Sequence, residues 1–133
     1  MTGSARVQVV AGLLVRDGRV LLCHRCADRQ WYPDVWDLPG GHVEAGETLG
    51  SALVRELGEE LAIVLEEPLV PETALITAPG VEMRIWRIDT WVGEPVNAAQ
   101  TEHDDLAWFT PAEAKALSLA HESYPALIDG VLP

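Results

Sequence analysis

Two adjacent glycines, Gly40 and Gly41, lead through a short loop into Arg55-Glu56-Leu57-Gly58-Glu59-Glu60, and no other stretch constrains the chain as much. Glu56, Glu59 and Glu60 stand at i, i+3 and i+4, which on an α-helix gathers three carboxylates within roughly a third of the circumference. Like charges so placed repel by about a few tenths of a kcal/mol per pair, so a helix kept for packing alone has little reason to hold them. Hard oxygen ligands beside a glycine-rich turn do have a use: they can bind a divalent cation such as Mg2+. The fold must present this helix face, tie it to the glycine turn and bury the opposite side. Leu49, Leu53, Leu57 and Leu61 recur every four residues and mark the buried stripe. Thr48 is a fair N-cap, with Glu47 near the positive end of the helix dipole. Gly58 inside the helix costs about 1 kcal/mol relative to alanine, which implies close packing or a backbone bend there.

The rest of the chain reads as strands and two further helices. Residues 7–15 form a strand buried on both faces, Asp17-Gly18 a two-residue hairpin turn, and residues 20–23 the returning strand. Residues 26–35 are a loop, and 36–38 are extended because a residue before proline disfavours the helical region. Residues 62–65 are a strand leaving the helix, and Glu66-Glu67-Pro68 and Pro71 punctuate a loop. Residues 73–77 are a strand ended by Pro79-Gly80, and residues 81–92 alternate as one long half-buried strand. After a loop over 93–101 comes a short strand over 106–109. Thr110-Pro111-Ala112-Glu113 is a capping box that starts a helix, and residues 124–131 form the last one. The class is α+β, with a mixed sheet between helices.

At 133 residues this is one domain by size, spanning 1–133. A net charge of -12 argues against a nucleic-acid polymer or an anionic membrane as partner, since both need a basic surface. A small anionic substrate remains compatible if a metal and a few arginines neutralise it locally. The longest apolar run, residues 7–15, is far short of the roughly 20 needed to span a membrane. Arg6 before it faintly resembles the start of a leader, but the run ends in Arg16-Asp17-Gly18 without a cleavage site. Cys23 and Cys26 have no second ligand pair for zinc and no helix start for a redox motif. They read as two reduced cysteines of a cytoplasmic protein.

Gly41, five residues, Glu47, seven residues, then Arg55-Glu56-Leu57-Gly58-Glu59-Glu60 and Ala62-Ile63 resembles the Nudix box, the signature of the Nudix hydrolase superfamily. Every position matches except a late glycine, here Ala62, which touches only the turn after the helix. Trp36-Asp37-Leu38-Pro39-Gly40-Gly41 is most similar to the MutT-like branch. The resemblance implies a Nudix-like α/β/α sandwich with a mixed central sheet between helices. It also implies Mg2+-dependent hydrolysis of the pyrophosphate bond in a nucleoside diphosphate derivative, with Mn2+ as an alternative cofactor, and it allows a homodimer. By the same resemblance Glu56, Glu59 and Glu60 are metal ligands, with the Gly41 carbonyl contributing, and Glu59 also assists the attacking water. Some members take that base from a distal loop, and Glu102, Asp104 and Asp105 are the set to consider; the plainer reading is a solvated acidic loop. Glu47 and Arg55 hold the ligand face in position.

Substrate contacts are less explicit. Arg25 stands where members often place an arginine that meets phosphate, although the neighbouring position that often carries a second arginine is Cys26; the alternative is a surface arginine. Arg29 could substitute. His42, where many members have lysine, is a phosphate contact or an edge-strand histidine. Trp31 and Tyr32 could cover a flat base, Asp37 could read its edge, and Trp36 is better placed as a core anchor. Trp86, Trp91 and Trp108 read as core. The leading substrate is a nucleoside triphosphate, ordinary or oxidised, converted to monophosphate and pyrophosphate. A nucleotide sugar or ADP-ribose is the second reading, kept open by Pro79. A non-catalytic nucleotide-binding module is the third.

Overall fold

Asp17 and Gly18 both adopt left-handed backbone, with φ of 54° and 72°, the geometry whose twist matches the strands it joins. They connect β1 (Val7–Arg16) to β2 (Arg19–Arg25), and the remaining elements are laid around this hairpin. The structure is a computed structural model that describes residues 7–66, 69 and 72–132. Arg6 and the expected loop residues Glu67, Pro68 and Pro71 lie outside the described residues.

Along β1, alternate residues go to opposite cores. Val10 and Leu14 join Leu53, Leu57 and Leu61 of α1 (Leu49–Leu61) on one face. Ala11 and Leu13 join Ala114 of α2 (Pro111–Lys115) and Tyr124 and Ile128 of α3 (Tyr124–Val131) on the other. Because helices cover both faces, the strand is a continuous apolar run rather than an alternating one. Each buried leucine contributes roughly 1.5–3 kcal/mol of transfer free energy, so both faces are needed to hold the sheet. A Cβ at Gly12 would lie 2.8 Å from Leu57 Cδ1, so α1 rests on bare backbone there. The result is the expected α/β/α sandwich.

Among the described residues, seven strands join in one mixed sheet. β1 pairs in parallel with β7 (Val81–Ile88), in register from Val7↔Val81 to Leu14↔Ile88. On its other edge β1 pairs with β4 (Gly40–His42) and then with β2. β6 (Ala74–Ala78) extends the β7 side, while β3 (Trp36–Asp37) and β9 (His103–Phe109) flank β2. Both expected caps are present: Thr48 accepts from Ser51 N–H at 3.1 Å, and Thr110 forms its box with Glu113. No helix among the described residues is long and apolar enough to cross a membrane.

Four expectations need correction. The long strand over 81–92 breaks at exposed Asp89-Thr90, and β8 (Trp91–Val92) leaves to form a separate ribbon with β5 (Val64–Leu65). Asp89 and Thr90 are consecutive polar residues, so the alternation is interrupted at the point where the strand changes partners. The short strand expected at 106–109 begins at His103, because β9 pairs with β2 as far as Arg25. The glycine turn is itself strand β4, since neither glycine has a side chain to hold it off β1. Gly58 faces solvent, and an added Cβ would meet only Ile63 O at 3.7 Å, so close packing is not its reason.

Candidate active site

β4 and α1 approach so closely that side chains between them are excluded. A Cβ on Gly40 would run into the Val10 carbonyl, and one on Gly41 would run into the carboxylate of Glu56. Gly40 therefore lets β4 lie close against β1, Gly41 lets Glu56 of α1 lie on the backbone of β4, and the Gly40 N–H donates to Glu60 Oε1 at 3.3 Å. Arg55 ties the loop to this face. Its Nε and Nη2 fork onto Glu47 at 2.6 and 2.9 Å, Nη2 also donates to the His42 carbonyl at 3.0 Å, and Nη1 reaches Glu56 at 3.0 Å and Glu59 at 3.2 Å. The hydrogen bonds from Arg55, with one from the Glu44 N–H, hold the Glu47 carboxyl at about 2. Those same bonds to Glu47 push the Arg55 guanidinium above its ordinary value. A charge-assisted fork of this kind fixes geometry as well as charge.

The three glutamates differ sharply in environment. Glu60 is 2 % exposed, and its carboxyl is raised well above the usual range, first by burial and then by Glu56 beside it. Glu59 is 61 % exposed and leans toward Arg55. His103, buried beneath, has Nδ1 4.0 Å from Glu60 Oε1, beyond hydrogen-bond range. Burial lowers its pKa to about 4, so it is a neutral imidazole at pH 7 and the contact is not an ion pair. Among the described residues no three His, Cys, Asp or Glu side chains converge as a closed cation cage. The donor chemistry nonetheless fits a hard divalent cation: Glu56 lies against Gly41, the buried Glu60 accepts from the Gly40 N–H, and Glu59 directly precedes Glu60 on the helix.

A cavity of about 630 Å³ opens from this face. Gly41, His42, Glu56 and Glu102 line it together with Arg25, Trp31, Tyr32, Asp37 and His121. Asp37 is buried, which raises its pKa; the Tyr124 hydroxyl donating at 2.6 Å and the Arg25 charge oppose the rise. The Leu38 N–H donates to the same carboxylate oxygen at 2.8 Å. Of the distal acids, only Glu102 reaches the cavity, paired with Arg29 at 3.2 Å. Asp104 pairs instead with His24 at 2.6 Å, and Asp105 accepts from the Leu106 N–H at 2.8 Å. Arg25 lines the cavity and is largely enclosed rather than a surface side chain, with Nε and Nη2 donating to the carbonyls of Trp31 and Tyr32. Trp36 packs edge-on to Phe109, as a core anchor should. Trp86 is buried, and Trp91 stacks on Trp108 at the margin of the α1 core.

Sequence reasoning overlooked His103, His121 and Tyr124. His103 lay beside the acids that drew attention, and the other two come from a segment that local pattern marks only as apolar helix and its approach.

The sequence pattern of the NUDIX domain family matches residues 5–129. The CTP pyrophosphohydrolase of Escherichia coli (strain K12) is 32% identical over 123 residues, covering 91% of this chain and 88% of its own. The nucleoside triphosphatase NudI of Enterobacter sp. (strain 638) is 32% identical over 122 residues, covering 84% of this chain and 86% of its own. The crystal structure of a MutT NUDIX hydrolase from Burkholderia pseudomallei superposes with a TM-score of 0.80 at 26% identity, covering 96% of this chain and 99% of that one.

Proposed function

The chain belongs to the NUDIX domain family, and from that premise we propose that it hydrolyses a nucleoside triphosphate, ordinary or oxidised, to monophosphate and pyrophosphate with Mg2+ as cofactor. It is a Nudix hydrolase of the MutT-like branch acting on nucleotides. The observation that supports the finer reading is a cavity lined both by Glu56 and the Gly41 backbone and by aromatic and hydrogen-bonding side chains. A phosphate chain suits the first group and a base the second. The relatives' printed names, a CTP pyrophosphohydrolase and a nucleoside triphosphatase, favour triphosphates over nucleotide sugars or ADP-ribose. Pro79 lines the cavity mouth but also precedes Gly80 in the β6–β7 turn, which accounts for it.

Glu56, Glu59, Glu60 and the Gly41 carbonyl are the groups that would hold the cation, and Mn2+ suits the same donors. When bound, the ion supplies neutralisation of phosphate oxygens and a lowered pKa for water. Glu59, the most exposed of the three, accepts the proton as water oxygen attacks phosphorus and the anhydride bond to the leaving pyrophosphate breaks. Glu47 and Arg55 hold α1 against the loop while this happens. The substrate is small, so neither a nucleic-acid polymer nor a membrane is needed. Two free thiols suit a cytoplasmic setting.

The test is turnover of a panel of nucleoside triphosphates, oxidised purine triphosphates, a nucleotide sugar and ADP-ribose with Mg2+, with the products identified. Pyrophosphate and a monophosphate are expected from the triphosphates; a sugar phosphate from the nucleotide sugar, without triphosphate turnover, overturns the reading. Glu59→Gln is expected to lower kcat by ~10²-fold or more, as loss of a general base does. Near-normal turnover in that variant moves the base to Glu102.

A further inference from the structure

Arg25 is largely enclosed, with its side chain 14% exposed, and its hydrogen bonds go to one short stretch of loop. Nε donates to the carbonyls of Trp31 at 3.1 Å and Tyr32 at 2.9 Å, and Nη2 donates to Trp31 again at 2.7 Å. Nη1 lies 3.8 Å from Asp37 Oδ2, and both residues line the cavity. The backbone repeats the link, with Arg25 N–H donating to Val35 O at 2.8 Å and Asp34 N–H to Arg25 O at 3.2 Å. Within the loop Tyr32 and Asp34 hold φ of 52° and 57°, a left-handed conformation that residues with side chains adopt reluctantly. Trp31 is 67% exposed and Tyr32 is close to half exposed, so core packing does not hold their rings.

These contacts close a circuit of residues, most of which line the cavity. The Tyr32 ring lies 5.1 Å from that of His121, His121 lies 5.2 Å from Tyr124, and the Tyr124 hydroxyl donates to Asp37, which faces Arg25. We propose that Arg25 is a positioning residue for base selection: its guanidinium fastens the Trp31–Tyr32 turn beside Asp37 in the cavity wall and so sets where the two aromatic rings meet a bound base. A lysine there keeps the charge but lacks the planar fork that grips two carbonyls at once. The inference rests on the reading that a nucleotide's base meets this part of the cavity wall, and its test separates the two.

In the ligand-free protein, hydrogen exchange of the amides in residues 26–35 is expected to quicken about tenfold or more in both Arg25→Lys and Arg25→Ala, as local opening of a released loop requires. Unchanged exchange overturns the clamp whatever the enzyme turns over. Altered exchange without hydrolysis of any ordinary or oxidised nucleoside triphosphate upholds the clamp and overturns the triphosphate reading. With CTP and Mg2+, both variants are expected to raise KM about tenfold while kcat stays within about threefold, the pattern of lost binding rather than lost chemistry. Inhibition by inorganic pyrophosphate, which has no base, stays within about twofold. An Arg25→Lys enzyme with wild-type KM, together with weakened pyrophosphate inhibition in Arg25→Ala, overturns the proposal in favour of a phosphate contact. Should either variant fail to fold, Trp31→Ala combined with Tyr32→Ala tests the same step with Arg25 in place and is expected to raise KM for CTP; an unchanged KM overturns it.

Discussion

Arg55 shows how much a single side chain organises here. It is bound to Glu47, Glu56, Glu59 and the His42 carbonyl, so one guanidinium fixes loop, strand and helix relative to one another. Its grip on Glu47 has a pH signature. The folded carboxyl sits at about 2 against an ordinary 4.5, so the unfolded chain binds the proton more readily across that interval. The contribution to stability is therefore fully present above about pH 4.5 and is lost as pH falls toward about 2. Thermal melts of wild type and Glu47→Gln are expected to converge over that interval as the pH drops; a constant gap across it would contradict the linkage. The spacing of Glu47 and Arg55 in the box made their pairing legible. The commitment of Arg25 to two loop carbonyls was not, because nothing local distinguishes a hydrogen-bonded arginine from a free one.

The elements reveal where local chemistry is followed and where it is overridden. Thr48, Thr110 and Asp17-Gly18 act as their residue types dictate. At the other end of α1, Ala62 occupies left-handed backbone at φ 58° and ψ 35°, the position where glycine usually ends a helix. This is the one place where the box departs from its pattern, and the cost falls on the turn alone. Replacing Ala62 with glycine is expected to raise stability by about 1 kcal/mol, since a Cβ is disfavoured there by about that amount. Urea denaturation measures it, and a loss of stability would mean that Ala62 is held by something other than its backbone. The break at Asp89-Thr90 shows the opposite case. Two consecutive polar residues interrupt the alternation there, but only the pairing of β7 with β6 and of β8 with β5 shows that the chain passes from one sheet to another.

At the scale of the molecule, two cores share one sheet. Leu57 belongs to the core beneath α1 and Ile128 to the core beneath α3, and alternate residues of β1 feed both. Leu57→Ala and Ile128→Ala are each expected to cost about 2–5 kcal/mol, the range for truncating a buried aliphatic side chain. Unfolding should remain one transition by fluorescence and circular dichroism, because neither face can stay ordered without the sheet. Two separated transitions would show the faces to be independent. The sequence by itself determined the hairpin, the capped and striped helix and the three carboxylates on one helix face, while the α/β/α class came from the resemblance to the Nudix box. Those follow from contacts between residues close in the chain, or from a spacing that one helix converts into a face. Only the tertiary structure decided that Glu60 is buried while Glu59 is not, and that Asp104 turns away from the cavity Glu102 reaches. It also decided that Tyr124 meets Asp37 across 87 residues of chain. Burial and long-range pairing are properties of how the elements close on one another, and local sequence carries no record of the surface that will cover it.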